Sequence, residues 1–197
     1  LDRRARAIGA WLESFGAKGE RALLLYSPGL DYIAAFMGCL YAGVTAVPAY
    51  PPRLNRPAPR IQSIVDDSHA KFALTTTTVI ANVEKRFEHA PDLKALHWLN
   101  TEQVPAELEA DWHDPNGSRD TLAFLQYTSG STSQPKGVML SHGNLMHNLE
   151  AISRGFHIDS TVKGIFWLPL YHDMGLIGGV LEPMYLGGET TLMSPPS

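Results

Sequence analysis

Strand-like and helix-like patterns alternate along this chain, and that alternation constrains its fold more than any other feature. Ala22 to Tyr26 is an apolar run of strand length, turned by Ser27-Pro28-Gly29 into a helical pattern from about Leu30 to Tyr41 that Gly43 ends. Val44 to Val47 is the next short strand, and Ala49-Tyr50-Pro51-Pro52-Arg53 must be extended or turning, since paired prolines forbid a helix interior. Ile61, Ile64 and Val65 mark a helix ending near Ser68. Phe72 to Thr75 then reads as a strand, Val79 to Phe87 as a helix and Leu93 to Leu99 as strand-like, while the polar stretch from Thr101 to Arg119 reads as a loop. Such alternation predicts an α/β fold, a mostly parallel sheet flanked by helices on both faces.

The first residue is Leu1, already inside an amphipathic pattern with Ala5, Ile8 and Leu12 at helical spacing. The chain stops just after a strand-like Thr190-Thr191-Leu192-Met193, so both ends are expected to be cut from something longer. At 197 residues it has material for one domain or two, and 44% hydrophobic with 18% charged residues describes a globular protein. A net charge of −4, with Arg3, Arg4 and Arg6 as the densest basic cluster, argues against nucleic acid as a partner. A single cysteine, Cys39 in an apolar helical pattern, excludes an internal disulfide and favours a buried thiol in a cytoplasmic protein. No transmembrane segment is expected, the longest apolar runs being well short of about 18 residues.

One stretch stands apart: Tyr127-Thr128-Ser129-Gly130-Ser131-Thr132-Ser133-Gln134-Pro135-Lys136-Gly137-Val138, set between the apolar run Leu122 to Leu125 and a second strand-like run from Gly137 to Leu140. Small hydroxylated residues closed by one proline and one lysine can aim N–H groups, hydroxyls and an ammonium at one point, which suits an anion such as phosphate. By composition alone, a Ser/Thr-rich surface hairpin loop is the commoner outcome. A P-loop does not fit, because Lys136 precedes Gly137, follows Pro135 and leads into a strand. Gly130-Ser131-Thr132-Ser133 lacks the final glycine of a nucleophile elbow, and Gly178-Gly179 and Gly187-Gly188 do not make a dinucleotide fingerprint.

Beyond the second strand, Ser141 is a plausible N-cap for a helix carrying Leu145, Leu149 and Ile152 inward. Ile165 to Leu168 reads as the next buried strand, and His172-Asp173 lies just past its carboxyl end, the edge where open α/β sheets bind ligands. An imidazole there could donate to a substrate carboxylate or, protonated, neutralise it. Chemistry alone favours the plainer alternative, a histidine bonding its own loop. His142 and His147 are poorly spaced to share a metal, and with a single cysteine a zinc site is not expected.

The order of residues from Thr128 to Val138 resembles the phosphate-binding signature of the adenylate-forming enzymes, Thr-Ser-Gly-Ser/Thr-Thr-Gly-x-Pro-Lys-Gly-Val. This superfamily contains acyl-CoA synthetases, luciferases, adenylation domains and fatty acyl-AMP ligases. Ser133 is the one departure, standing where the signature has glycine; a positive φ there would cost serine about 1–2 kcal/mol. Leu168-Pro169-Leu170-Tyr171-His172-Asp173-Met174-Gly175 looks like the family's histidine-bearing segment beside the acyl pocket. The stretches Ser27 to Gly43 and Ala46-Val47-Pro48-Ala49-Tyr50-Pro51-Pro52 resemble the fatty acyl-AMP ligases specifically, as do Gln126 and Ser141 to Leu145.

The resemblance implies that residues 1–197 are part of a large N-terminal AMP-binding domain. An adenine-binding segment, a ribose-binding acidic residue and a small mobile C-terminal domain with a catalytic lysine would lie beyond Ser197. It implies a ligase that joins a fatty acid to ATP, with Mg2+, to give an acyl-adenylate and pyrophosphate. The acyl group would pass to the phosphopantetheine of an acyl carrier protein, often at the start of a polyketide or lipopeptide line. Thr128, Ser129, Gly130, Ser131, Thr132, Ser133, Lys136 and Gly137 would hold the nucleotide, with Lys136 and His172 taking part in catalysis. His172, Asp173, Met174 and Gly175 would lie by the acid, and Met174, Leu176 and Ile177 either wall an acyl channel or pack in the core. The 197 residues alone are expected to be inactive. An acyl-CoA synthetase, with coenzyme A as acceptor, and a non-catalytic binding or scaffolding module stay open as alternatives.

Overall fold

The computed structural model describes residues 1–51, 59–84, 91–128 and 135–193. In its first part, α1 (Asp2–Ser14) is followed by β1 (Arg21–Leu25), α2 (Leu30–Tyr41), β2 (Thr45–Ala49), α3 (Pro59–Ser68) and β3 (Phe72–Thr75). Then come α4 (Thr77–Glu84), α5 (Pro91–Ala95), β4 (His97–Asn100), β5 (Leu122–Thr128) and β6 (Lys136–Ser141). These strands form one six-stranded sheet in the order β4-β3-β1-β2-β5-β6, parallel throughout except for the antiparallel β5–β6 edge. The expected mostly parallel sheet is present.

Burial of β1 on both faces explains its unbroken apolar sequence. Ala22 and Leu24 enter a cluster with Ile8 and Leu12 of α1, Phe36 of α2 and Phe124 of β5. Leu23 and Leu25 enter a second cluster, on the opposite face, with Ile61 and Ile64 of α3 and Val83 of α4. On the first face the Phe36 and Phe124 rings meet edge to face, with centroids 5.6 Å apart at 75°. A Cβ on Gly38 would lie 2.6 Å from Ile8 Cγ2, so this glycine permits the close approach of α1 and α2. Cys39 is wholly buried and its thiol is pushed up by desolvation, which makes it a core side chain rather than a nucleophile.

Three expectations need correction. Leu93 to Leu99 is not one strand: Leu93 lies in α5, which Pro91 opens, and the strand begins only at His97. Pro91 supplies a ready first helical residue, and the Trp98 indole donates to the Leu93 carbonyl at 2.8 Å, folding the two pieces together. Thr101 to Arg119 is not a bare loop, since 3₁₀ turns occupy Thr101–Gln103 and Ala106–Asp111. The stretch is strapped to the helices by Trp112, whose indole donates to the Tyr41 carbonyl at 2.8 Å beneath the Arg6 guanidinium. Of the predicted helix Val79 to Phe87, α4 accounts for the part up to Glu84; residues 85–87 lie outside the described residues, as do Pro52 and Arg53.

After β6 come α6 (His142–Phe156), β7 (Lys163–Phe166), a π-helix (Met174–Leu181), α7 (Glu182–Leu186) and β8 (Glu189–Leu192). Ser141 caps α6 as expected, in a capping box with Asn144, and Leu145 and Leu149 are buried while Ile152 is only half-buried. The third correction concerns Ile165 to Leu168. Its strand spans Lys163–Phe166, Ile165 is 62% exposed, and Trp167 and Leu168 lie beyond the strand and are exposed too. The reason is topological: among the described residues β7 pairs with β8 alone, in a separate two-stranded parallel sheet. One face of that pair is covered by the π-helix, where a Cβ on Gly179 would sit 3.1 Å from the Phe166 ring.

Candidate functional site

The carboxyl ends of β1, β2, β3 and β4 all point to one edge of the sheet, and β5 runs parallel with them to Thr128 at that same edge. Ligands collect at this edge of open α/β sheets because the loops leaving the strands converge there. Thr128 is exposed and pairs across the antiparallel ladder with Lys136, likewise exposed. The two ends of the hydroxyl-rich stretch are therefore pinned opposite each other at the strand terminus. Ser129, Gly130, Ser131, Thr132, Ser133 and Gln134 lie outside the described residues.

The stem beneath that stretch is held by a residue the sequence reading passed over. Tyr127 faces the α3 side of the sheet, where its hydroxyl donates to Asp67 Oδ2 at 2.5 Å. Burial and this bond hold the phenol well above its ordinary pKa, so it remains a neutral donor. Its cross-strand partner is Gly137, where a Cβ would come within 2.9 Å of the Tyr127 ring. The glycine of the signature is thus needed at this point for close approach to an aromatic ring, with no positive φ involved. Nothing in local spacing could have linked Asp67 to Tyr127, which lie 60 positions apart.

The His172 segment reaches the same neighbourhood. Leu170 is buried at 3% exposure and roots the loop in the core, while the Tyr171 carbonyl accepts from Gln126 Nε2 at 3.1 Å. The Tyr171 ring stands edge to face against Tyr50, just past β2, with centroids 5.1 Å apart. The His172 amide donates to the Pro169 carbonyl at 3.1 Å, and the His172 carbonyl accepts from Leu176 at 2.9 Å. His172 and Asp173 are both more than half exposed, with Nδ1 of the ring 2.5 Å from Oδ1 of the carboxylate. That same Oδ1 accepts from the Met174 amide at 2.7 Å, capping the π-helix. Asp173 therefore orients the imidazole and starts the helix, an arrangement that leaves the Nε2 side of the ring turned from its local partner.

Gly175 lies under this loop, where a Cβ would stand 2.3 Å from the Pro169 carbonyl oxygen, so any larger residue would displace the turn that carries His172. Met174 is 59% exposed, whereas Leu176 is fully buried and Ile177 packs against the same core, which settles Leu176 as a core residue. Three acidic, histidine or cysteine side chains that could hold a metal ion do not come together anywhere among the described residues. No described helix is long and apolar enough to cross a membrane.

Comparison with known proteins accords with this geometry. Across 99% of its length the chain is 44% identical to the medium-chain-fatty-acid–acyl-carrier-protein ligase JamA of Moorena producens, and 34% of that protein is covered. Across 98% of its length it is 37% identical to the long-chain-fatty-acid–AMP ligase FadD32 of Mycolicibacterium smegmatis, 30% of which is covered. A crystal structure of the fatty acyl-adenylate ligase of L. pneumophila, in complex with acyl adenylate and pyrophosphate, superposes with a TM-score of 0.91 at 42% identity, over 99% of this chain and 34% of that one. The chain thus spans about a third of the length of the relatives it matches. The model of the AMP-binding enzyme family matches residues 1–197, and a chain matched from end to end, with a mostly parallel sheet flanked by helices, belongs to the AMP-binding enzymes.

Proposed function

We propose that the polypeptide carrying this chain activates a fatty acid with ATP, forming an acyl-adenylate and pyrophosphate, and passes the acyl group to the phosphopantetheine thiol of an acyl carrier protein. The observation that carries this reading is the match to the L. pneumophila ligase, a protein whose structure holds acyl adenylate and pyrophosphate. An acyl-carrier-protein ligase among the relatives supports the acceptor.

The chemistry suits the residues. A carboxylate attacking the α-phosphate approaches a polyanion, so negative charge must be offset before bond formation. Thr128, Lys136 and Gly137 at the ends of the stretch, with Ser129, Gly130, Ser131, Thr132 and Ser133 between them, would hold the β- and γ-phosphates. Lys136 would neutralise charge on the leaving pyrophosphate. Mg2+ would enter as part of the nucleotide substrate. His172, oriented through Nδ1 by Asp173, would present Nε2 toward the acid carboxylate, and exposed Met174 would lie along the acyl chain.

The test is ATP–pyrophosphate exchange with fatty acids of several lengths, using the full-length polypeptide and its Lys136→Ala variant. Fatty-acid-dependent exchange should fall by roughly 10²-fold in the variant, as expected for removing one charged stabiliser of a transition state. The 197 residues alone should show no exchange. Exchange that is independent of fatty acid, or unaltered by Lys136→Ala, would refute the reading. Thioester formation on carrier protein in preference to coenzyme A would support the acceptor assigned.

A further inference from the structure

Gln126 is an unusual choice for its place. It lies in β5 two residues before Thr128, 7% exposed, on the face opposite Tyr127 and level with the apolar cluster that holds Phe124 and Leu170. A buried primary amide must find partners for two donor hydrogens and an acceptor oxygen, or lose free energy to desolvation. Here Nε2 donates to the Tyr171 carbonyl at 3.1 Å, while Oε1 is buried without a hydrogen-bond partner among the described residues. An apolar side chain of similar length would fill the same space with no orphaned oxygen. What it could not supply is a grip on a backbone carbonyl 45 positions away.

That grip falls at an informative point. Tyr171 immediately precedes His172, and its ring is held from a second strand end by Tyr50. From Tyr171 onward each link is short: His172 to the Pro169 carbonyl, Asp173 to Met174, and the tight seat of Gly175 under Pro169. The His172 turn is thus a small rigid unit of its own. Leu170 packs in the cluster that holds Phe124 of β5, and the polar tie to that strand is the Gln126 amide, two residues upstream of the paired Thr128 and Lys136.

We propose that Gln126 is a positioning residue, which fixes the distance between the His172 turn and the end of β5 and so sets the acid carboxylate against the nucleotide phosphates. This rests on the function proposed above. Gln126 acts through the Tyr171 backbone. Loss of its amide should therefore misplace the acid while leaving the nucleotide seated.

The experiment uses the full-length polypeptide with Gln126→Met, which keeps length and apolar volume, and Gln126→Glu, which can donate to Tyr171 only when protonated. Steady-state constants for fatty acid and for ATP are measured separately, and amide hydrogen exchange is followed across residues 169–176. Gln126→Met should lower kcat/KM for the acid by about tenfold, the worth of one buried hydrogen bond, with KM for ATP changed by no more than about twofold. Exchange at the His172 and Leu176 amides should quicken. In Gln126→Glu, acid kcat/KM relative to wild type should recover as pH falls from about 8 to about 6, a range that an environment raising a buried carboxyl places within reach. Equal losses for both substrates, no loss, or unchanged exchange at His172 and Leu176 would overturn the proposal. Should the wild-type polypeptide make no acyl-adenylate, the functional reading fails, and the exchange measurement alone decides whether Gln126 holds the turn.

Discussion

The six-stranded sheet and the β7–β8 pair both carry large apolar side chains, but those side chains end in different surroundings. Leu23, Leu24 and Leu25 of β1 are wholly buried, whereas Ile165 of β7 is 62% exposed and Trp167 just beyond it 54%. Among the described residues, large hydrophobic side chains that stand exposed are few before Thr128, namely Leu1, Phe15, Leu30 and Tyr50, and more frequent beyond β6, among them Phe156, Leu168 and Met174. The difference lies in cover. β1 has helices across both faces and a strand on either side, while among the described residues β7 has one neighbouring strand and the π-helix on one face. An apolar strand states a demand for burial; neighbouring elements decide whether it is met.

That contrast can be broken by substitution. The largest effect is expected in the covered region, at Phe124, where alanine removes a fully buried ring seated edge-on against Phe36. Phe124→Ala should cost about 3–5 kcal/mol in urea-induced unfolding, and a loss below about 1 kcal/mol would mean that this face of the sheet is not the core.

An intermediate effect lies between the two regions, at Glu182, where the π-helix gives way to α7. The side chain is buried, neither carboxylate oxygen has a hydrogen-bond partner among the described residues, and desolvation raises its pKa. A raised folded-state pKa means that its stabilising contribution is complete below the ordinary glutamate value of about 4.3 and is lost as pH rises through the folded value. Glu182→Gln should therefore match wild type near pH 4 and exceed it in stability by on the order of 1 kcal/mol at pH 8. Unfolding midpoints at the two pH values check this, and an equal difference at both would show that the carboxyl is not desolvated.

The smallest effect belongs to the uncovered pair. Ile165→Thr keeps a β-branched side chain and removes exposed apolar area, so stability should move by less than about 0.5 kcal/mol. Thermal unfolding measures it. A loss as large as that expected for Phe124 would mean that β7 is covered in solution, and the two regions would no longer differ.

Particular residues show how far the sequence could be read. Leu30 to Tyr41 was legible as a helix because its glycine stop and apolar spacing are local, and Ser141 was legible as a cap because Asn144 lies three residues on. Lys136 and His172 could be singled out because each sits in a contiguous motif. Gln126 and Tyr127 could not be given roles, since their partners Tyr171 and Asp67 are distant in the chain and meet only when the strand is built. Leu93 to Leu99 misled because a short apolar run reads alike as helix or strand.

By itself the sequence determined the alternation of elements, the mostly parallel sheet, and the order of residues that places a hydroxyl-rich stretch ahead of Lys136. These follow from backbone preferences and side-chain periodicity, which act over a few residues. Only the tertiary structure decided that β7 would leave the main sheet, that Gly137 would lie against Tyr127, and that the His172 turn would hang from Gln126. Those outcomes depend on which surfaces meet after the chain has closed long loops, and no local pattern encodes that choice.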